Sequence, residues 1–214
     1  MSEPSLDPAD AADVAAAKAA LRAWVRGRRQ ERWDADDEVA HAARADALAS
    51  RVLRHPAVAA ACVQRGAVAA YASFAPEPPT GRLLDALVEL GLEVLLPVVR
   101  PGRVLGWAHY DGPSSLAVDA HGIPTPTGEV VGEGAAALQA AGVGVVLVPA
   151  LAVGEDRRRL GQGAGFYDTV LAALPRHADG GPLRIAVVGE GEVLPAGAVP
   201  VLPHDQPVDD HIVG

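Results

Sequence analysis

The run Gly144-Val145-Val146-Leu147-Val148 carries no polar side chain, stops at Pro149, and constrains the fold more than any other stretch. An apolar run of this length, bounded by turn residues, reads as a strand buried on both faces. Similar short runs occur at Ala67–Tyr71, Glu93–Leu96, Arg184–Val188 and Val199–Leu202. Val104–Tyr110 reads as a strand pairing at an edge, and Leu116–Thr127 as mostly irregular. Helical stretches separate them: Pro8 to about Arg32, Asp36–Arg54, 57–64, Thr80–Leu90 capped by Gly91, 134–141 and Gly165–Leu174. Strands alternating with helices predict an α/β fold, a mostly parallel sheet flanked by helices, with the N-terminal helices packed on the sheet. Ligands in such folds collect beyond the carboxyl ends of the strands. No repeat or linker divides the chain, so one domain over 1–214 is expected, with residues 1–8 as a disordered lead-in.

Composition narrows the function classes. Half of the 214 residues are hydrophobic, enough for a sizeable core, yet only three Trp, three Tyr and two Phe are present. The net charge of −9 argues against a nucleic-acid or anionic-membrane surface, which needs clustered Lys and Arg. The lone Cys62 cannot form an internal disulfide and reads as a small buried hydrophobe. No apolar run approaches the roughly 20 residues of a membrane span, and Met1–Asp13 lacks the basic start of a secretory signal. A cytoplasmic protein is expected. His55, His109, His121, His177 and His211 are too scattered to read as a metal site.

The chemistry concentrates after the Gly144–Val148 run. Arg159-Leu160-Gly161-Gln162-Gly163-Ala164-Gly165-Phe166-Tyr167-Asp168 places three glycines at alternate positions before a helix. Such a loop lets backbone approach a phosphate, and the helix N-terminus offers free N–H groups. Arg159 adds a guanidinium fork suited to phosphate oxygens, and Asp168 a carboxylate able to hold Mg²⁺. The pattern is neither the dinucleotide fingerprint G-x-G-x-x-G nor the phosphate loop ending in Gly-Lys-Ser/Thr. A plain strand–helix connection is the bland alternative.

The same segment closely resembles the R-L-G-x-G-x-G-Y-Y-D signature of the 5-formyltetrahydrofolate cyclo-ligase family. Weaker matches follow in order: Lys18-Ala19-Ala20-Leu21-Arg22 resembles K-x-x-L-R, Tyr71 with Glu77-Pro78-Pro79-Thr80 resembles Y…E-x-x-T, and Pro203-His204-Asp205-Gln206-Pro207-Val208-Asp209 resembles P-x-H-D-x-x-V-D. Together they span about residues 18–210.

The resemblance implies conversion of 5-formyltetrahydrofolate to 5,10-methenyltetrahydrofolate, with ATP as co-substrate, Mg²⁺ as cofactor, and release of ADP and phosphate. It also implies roles. Lys18, Arg22 and the loop Arg159, Leu160, Gly161, Gln162, Gly163, Ala164, Gly165, Phe166 and Tyr167 would bind ATP, with Arg159 and Tyr167 catalytic. Tyr71, Glu77, Trp107 and Phe166 would bind the folate, and Asp168 and Asp205 the metal. Folate and ATP are the implied partners of a monomer. Three places depart from the family pattern: Thr125 stands where a glutamate is common, Arg158 where a glycine is commoner, and residues 187–192 lack an aromatic and a glutamine. Two other readings stay open: a diverged nucleotide-binding relative with a regulatory role, and an ATP-dependent enzyme for another pterin or small acid.

Overall fold

The computed structural model describes residues 8–118 and 122–214. The expectations for the first seven residues and for the Cys62 side chain lie outside the described part. In chain order the elements are α1 (Pro8–Ala35), α2 (Glu38–Arg54), α3 (Pro56–Arg65), β1 (Ala67–Ala69), α4 (Gly81–Glu89), β2 (Glu93–Arg100), β3 (Val104–His109), β4 (Leu116–Val118), β5 (Pro124–Pro126), β6 (Val130–Glu133), α5 (Gly134–Ala140), β7 (Val143–Pro149), β8 (Ala152–Gly154), β9 (Arg159–Leu160), α6 (Phe166–Ala173), β10 (Leu183–Val188), β11 (Val193–Leu194) and β12 (Asp210–Val213).

The main sheet has seven strands in the order β12-β10-β7-β1-β2-β3-β6. The five from β12 to β2 pair in parallel; β3 and β6 add antiparallel at the other edge. From β1 the chain builds outward first through β2 and later through β7, so strand order reverses between β1 and β7. That reversal opens a crevice at the carboxyl ends of these two strands.

Side-chain alternation along the strands sorts the core into two layers. Val68, Val145, Leu147, Ile185 and Val187 face α2, α3 and α4 through Leu48, Val52, Val58, Leu83 and Leu87. Ala69, Val146, Val148, Ala186 and Val188 face α5 and α6 through Leu138, Val170 and Leu171. A separate three-stranded sheet, β11-β8-β9, packs Leu151, Ala152 and Leu160 against Val25 of α1. Thus α2 lies on the main sheet, whereas α1 lies on the small one and runs along the crevice.

Three strand expectations change. Val199–Leu202 forms no strand; the last strand is β12, whose Ile212 is buried as an edge partner of β10. The second strand does not stop at Pro97 but continues to Arg100, because Pro97 sits opposite Trp107 in an antiparallel ladder that needs nothing further of it. Within Leu116–Thr127, Leu116–Val118 and Pro124–Pro126 pair as a small antiparallel ribbon.

Candidate active site

The crevice is a cavity of about 700 Å³. Its floor is the end of β2 and β7, its walls are α1 on one side and the loop after β1 on the other, and the β4–β5 ribbon overhangs it. The loop 161–165 and the first turn of α6 form the remaining side.

The α1 wall is built by helical spacing. Lys18 and Arg22, four apart, share a face. Lys18 is buried and donates to Asp205 Oδ2 at 2.5 Å, and Leu202 N–H donates to the same oxygen at 2.5 Å. Arg22 Nε donates to the Gly161 carbonyl at 2.9 Å. The same stripe continues into residues the motif search did not single out. Arg26 donates to Gln162, and Arg29, 4 % exposed, donates to both oxygens of Glu192 and to the Ala150 carbonyl. Arg32 joins Glu192 at 2.5 Å. The spacing 18, 22, 26, 29 was the signal available in the sequence.

The glycine loop is shaped by close approach. At Gly161 an added Cβ would sit 2.7 Å from Arg159 Nη1, so a side chain there would push the guanidinium from its place. Gly163 has φ +112°, and Arg22 Cζ would lie 3.4 Å from its Cβ. Arg159 is buried; its Nη2 donates to Asp168 Oδ1 at 2.8 Å and Nη1 to the Pro149 carbonyl at 3.3 Å. Gln206 N–H donates to Asp168 Oδ1 at 3.0 Å, which brings the Asp205 loop against the first turn of α6. Arg159 Nε and the Tyr167 hydroxyl are buried and make no hydrogen bond among the described residues. A buried donor left unpaired costs about 1–3 kcal/mol, so both favour a ligand that brings acceptor oxygens.

Across the cavity, Thr80 ties its loop down. Its hydroxyl donates to the Tyr71 carbonyl at 2.8 Å, and it exchanges backbone-to-hydroxyl bonds with Ser73. Glu77 follows from this loop, 9 % exposed, and accepts from Gln162 Nε2 at 3.3 Å. Burial pushes the Glu77 carboxyl up, opposed by Arg29, Gln162 and the Phe74 N–H. Burial likewise pushes the Tyr71 and Tyr167 hydroxyls well above their ordinary range. Phe74, Val118 and Ile123 give this end an apolar rim that sequence reading passed over, because exposed apolar residues in proline-rich loops carry no periodic signal.

The structure therefore brings together Lys18, Arg22, Tyr71, Glu77, Arg159, Gly161, Gln162, Gly163, Ala164, Gly165, Phe166, Tyr167, Asp168 and Asp205 around one cavity. Two expected site residues fall elsewhere. Trp107 is fully buried in the layer under α5, and its indole N–H donates to the Gly134 carbonyl at 3.0 Å, so it is core and not a surface for ligand. Leu160 pairs with Ala152 and is buried beside Val25, where it anchors the loop from behind. Thr125 does line the cavity. The departure at 187–192 does not: Glu192 there closes on Arg29 and Arg32 behind the site.

A sequence model of the 5-formyltetrahydrofolate cyclo-ligase family matches residues 14–214. The chain belongs to that family. Within it, the 5-formyltetrahydrofolate cyclo-ligase of Mycolicibacterium smegmatis is 39% identical over 148 residues, 64% of this chain and 68% of that protein. The Escherichia coli K12 cyclo-ligase is 32% identical over 126 residues, 58% of this chain and 64% of its own length. Among solved structures, the Aquifex aeolicus 5,10-methenyltetrahydrofolate synthetase superposes with a TM-score of 0.67 at 25% identity, covering 92% of this chain and 89% of that one. The Mycoplasma pneumoniae synthetase shares the fold, with a TM-score of 0.62 at 17% identity over 91% and 97% of the two chains.

Proposed function

We propose that this cyclo-ligase family member converts 5-formyltetrahydrofolate and ATP to 5,10-methenyltetrahydrofolate, ADP and phosphate. The observation that carries the reading is the two-sided cavity: cations and a glycine loop on one side, a buried carboxylate with an apolar rim on the other. Lys18, Arg22 and Arg159 supply positive charge for phosphate oxygens, and the N–H groups of the loop 161–165 at the cavity offer further donors. Glu77 accepts from pterin N–H groups, while Tyr71 and Phe166 flank the ring. In the reaction the formyl oxygen bonds to the γ-phosphorus as ADP leaves. N10 then attacks the formyl carbon and loses its proton, and phosphate departs with that oxygen. In this reading Arg159 and the Tyr167 hydroxyl, at the cavity with unpaired donors, position the reactants and stabilise developing charge.

Asp168 and Asp205 are the carboxylates for Mg²⁺. No group of three or more His, Cys, Asp or Glu that could hold a metal lies among the described residues. Each of the two carboxylates already has one oxygen paired with a cation. That donor set fits magnesium, which keeps waters and phosphate oxygens as its other ligands, and not a closed protein cage. When bound, the ion neutralises charge on the nucleotide phosphates.

No helix among the described residues is long and apolar enough to cross a membrane. A one-domain, monomeric, cytoplasmic enzyme of small molecules completes the reading. The test mixes protein, 5-formyltetrahydrofolate, ATP and Mg²⁺ and follows the near-ultraviolet absorbance of the methenyl product. An ATP-dependent rise is expected; a flat trace with intact ATP binding would turn the assignment to another pterin or to a regulatory relative.

A further inference from the structure

Gln162 stands between the two sides of the cavity. Arg26 Nη2 and Nε donate to its side-chain Oε1 at 2.8 and 3.2 Å, and Nη2 also reaches its backbone carbonyl at 3.2 Å. A guanidinium only donates, so Oε1 must face Arg26 and the amide NH₂ must face the other way. There it donates to Glu77 Oε1 at 3.3 Å. Three elements far apart in sequence thus meet at one amide: α1, the glycine loop, and the loop before α4. The loop's path sets where this amide lies. Gly161 is held by Arg22 through its carbonyl, and Gly163 turns with φ +112°, so a change in that path would carry Gln162 with it.

We propose that Gln162 is a positioning residue that couples the glycine loop to Glu77, so that nucleotide and folate each tighten the binding of the other. The proposal rests on the function proposed above. Phosphates on the loop N–H groups fix the loop's path and with it the amide. A fixed amide holds one oxygen of Glu77, and so fixes the carboxylate that lines the cavity where the pterin would sit. Reciprocity follows, since the same contact is biased from either end. An ordinary surface hydrogen bond would show no such dependence.

The experiment measures four dissociation constants by calorimetry: the non-hydrolysable β,γ-imido analogue of ATP with magnesium, and 5-formyltetrahydrofolate, each alone and with the other saturating. The wild-type protein should show each ligand tightening the other by about 5-fold or more. Gln162→Leu removes both contacts and should bring the factor close to one. Gln162→Glu keeps an acceptor for Arg26 but cannot donate to Glu77, and should lose coupling as well. Arg26→Ala frees the amide from its orienting donor and should lower the factor part-way, with the melting temperature unchanged. The idea is overturned by a wild-type factor at or below one, or by variants that keep the wild-type factor. If the wild-type protein binds neither ligand, the functional reading falls and takes the coupling with it; if both bind and product forms, only the coupling is at stake.

Discussion

Burial raises the Glu77 carboxyl, while the Arg29 guanidinium, the Gln162 amide and the Phe74 N–H pull it back without cancelling the rise. An acid that holds its proton more tightly folded than unfolded destabilises the fold once ionised. Below about pH 4 both states are protonated and the cost is absent; it sets in as pH rises through the folded value. Glu77→Gln should therefore melt higher than the wild type at pH 7.5, by about 2 °C, with the difference vanishing near pH 4. The same variant should lose folate binding, which separates a residue kept for ligand from one kept for stability. A lower melting temperature at pH 7.5 would mean that Arg29 outweighs burial. Arg159→Ala should cut product formation by about 100-fold or more, read as kcat/KM, since it removes a buried cation from the cavity wall. That both residues reach the cavity was legible in the sequence through their motifs. Trp107 was misplaced because an aromatic in a short strand reads alike whether it faces ligand or core, and only the partner at Gly134 decides.

At the scale of elements, α1 is held less by apolar contact than by charge. Among the described residues of this helix, Val25 is the one fully buried hydrophobe, whereas Arg29 and Arg32 both close on Glu192, 2 % exposed, beside β11. Breaking a buried pair by removing one partner costs about 3–5 kcal/mol. Glu192→Ala should lower the melting temperature by about 10 °C, monitored by calorimetry, and weaken nucleotide binding, because α1 carries Lys18 and Arg22. Replacing Arg158, which is exposed, should do neither. Helices and central strands were readable from apolar runs and breakers. The pairing of Arg29 with Glu192 was not, since 163 positions separate them and neither lies in a motif. Equally, Pro97 marked a strand end by local rule, yet the antiparallel partner Trp107 carries the strand past it.

Across the whole molecule, the cavity draws its charged lining from α1 and from residues as distant in sequence as Asp205. Chelating magnesium should abolish product formation while leaving the melting temperature of the ligand-free protein within about 1 °C, because the described residues contain no cluster of three or more His, Cys, Asp or Glu that could hold a metal; a large drop would point to a structural ion. The alternating order of elements made the sheet and its crevice foreseeable. It could not show that α1 leaves the main sheet for the small one, which depends on Val25, Leu151 and Leu160 meeting in space. The ion pair of Lys18 with Asp205 bridges 187 positions of chain. On the ribosome, then, the first helix emerges long before its partner has been synthesised. A nascent chain short of Asp205 can pair most of its sheet while Lys18 still lacks its carboxylate, so the α1 wall of the cavity is fastened only after the sheet behind it can form.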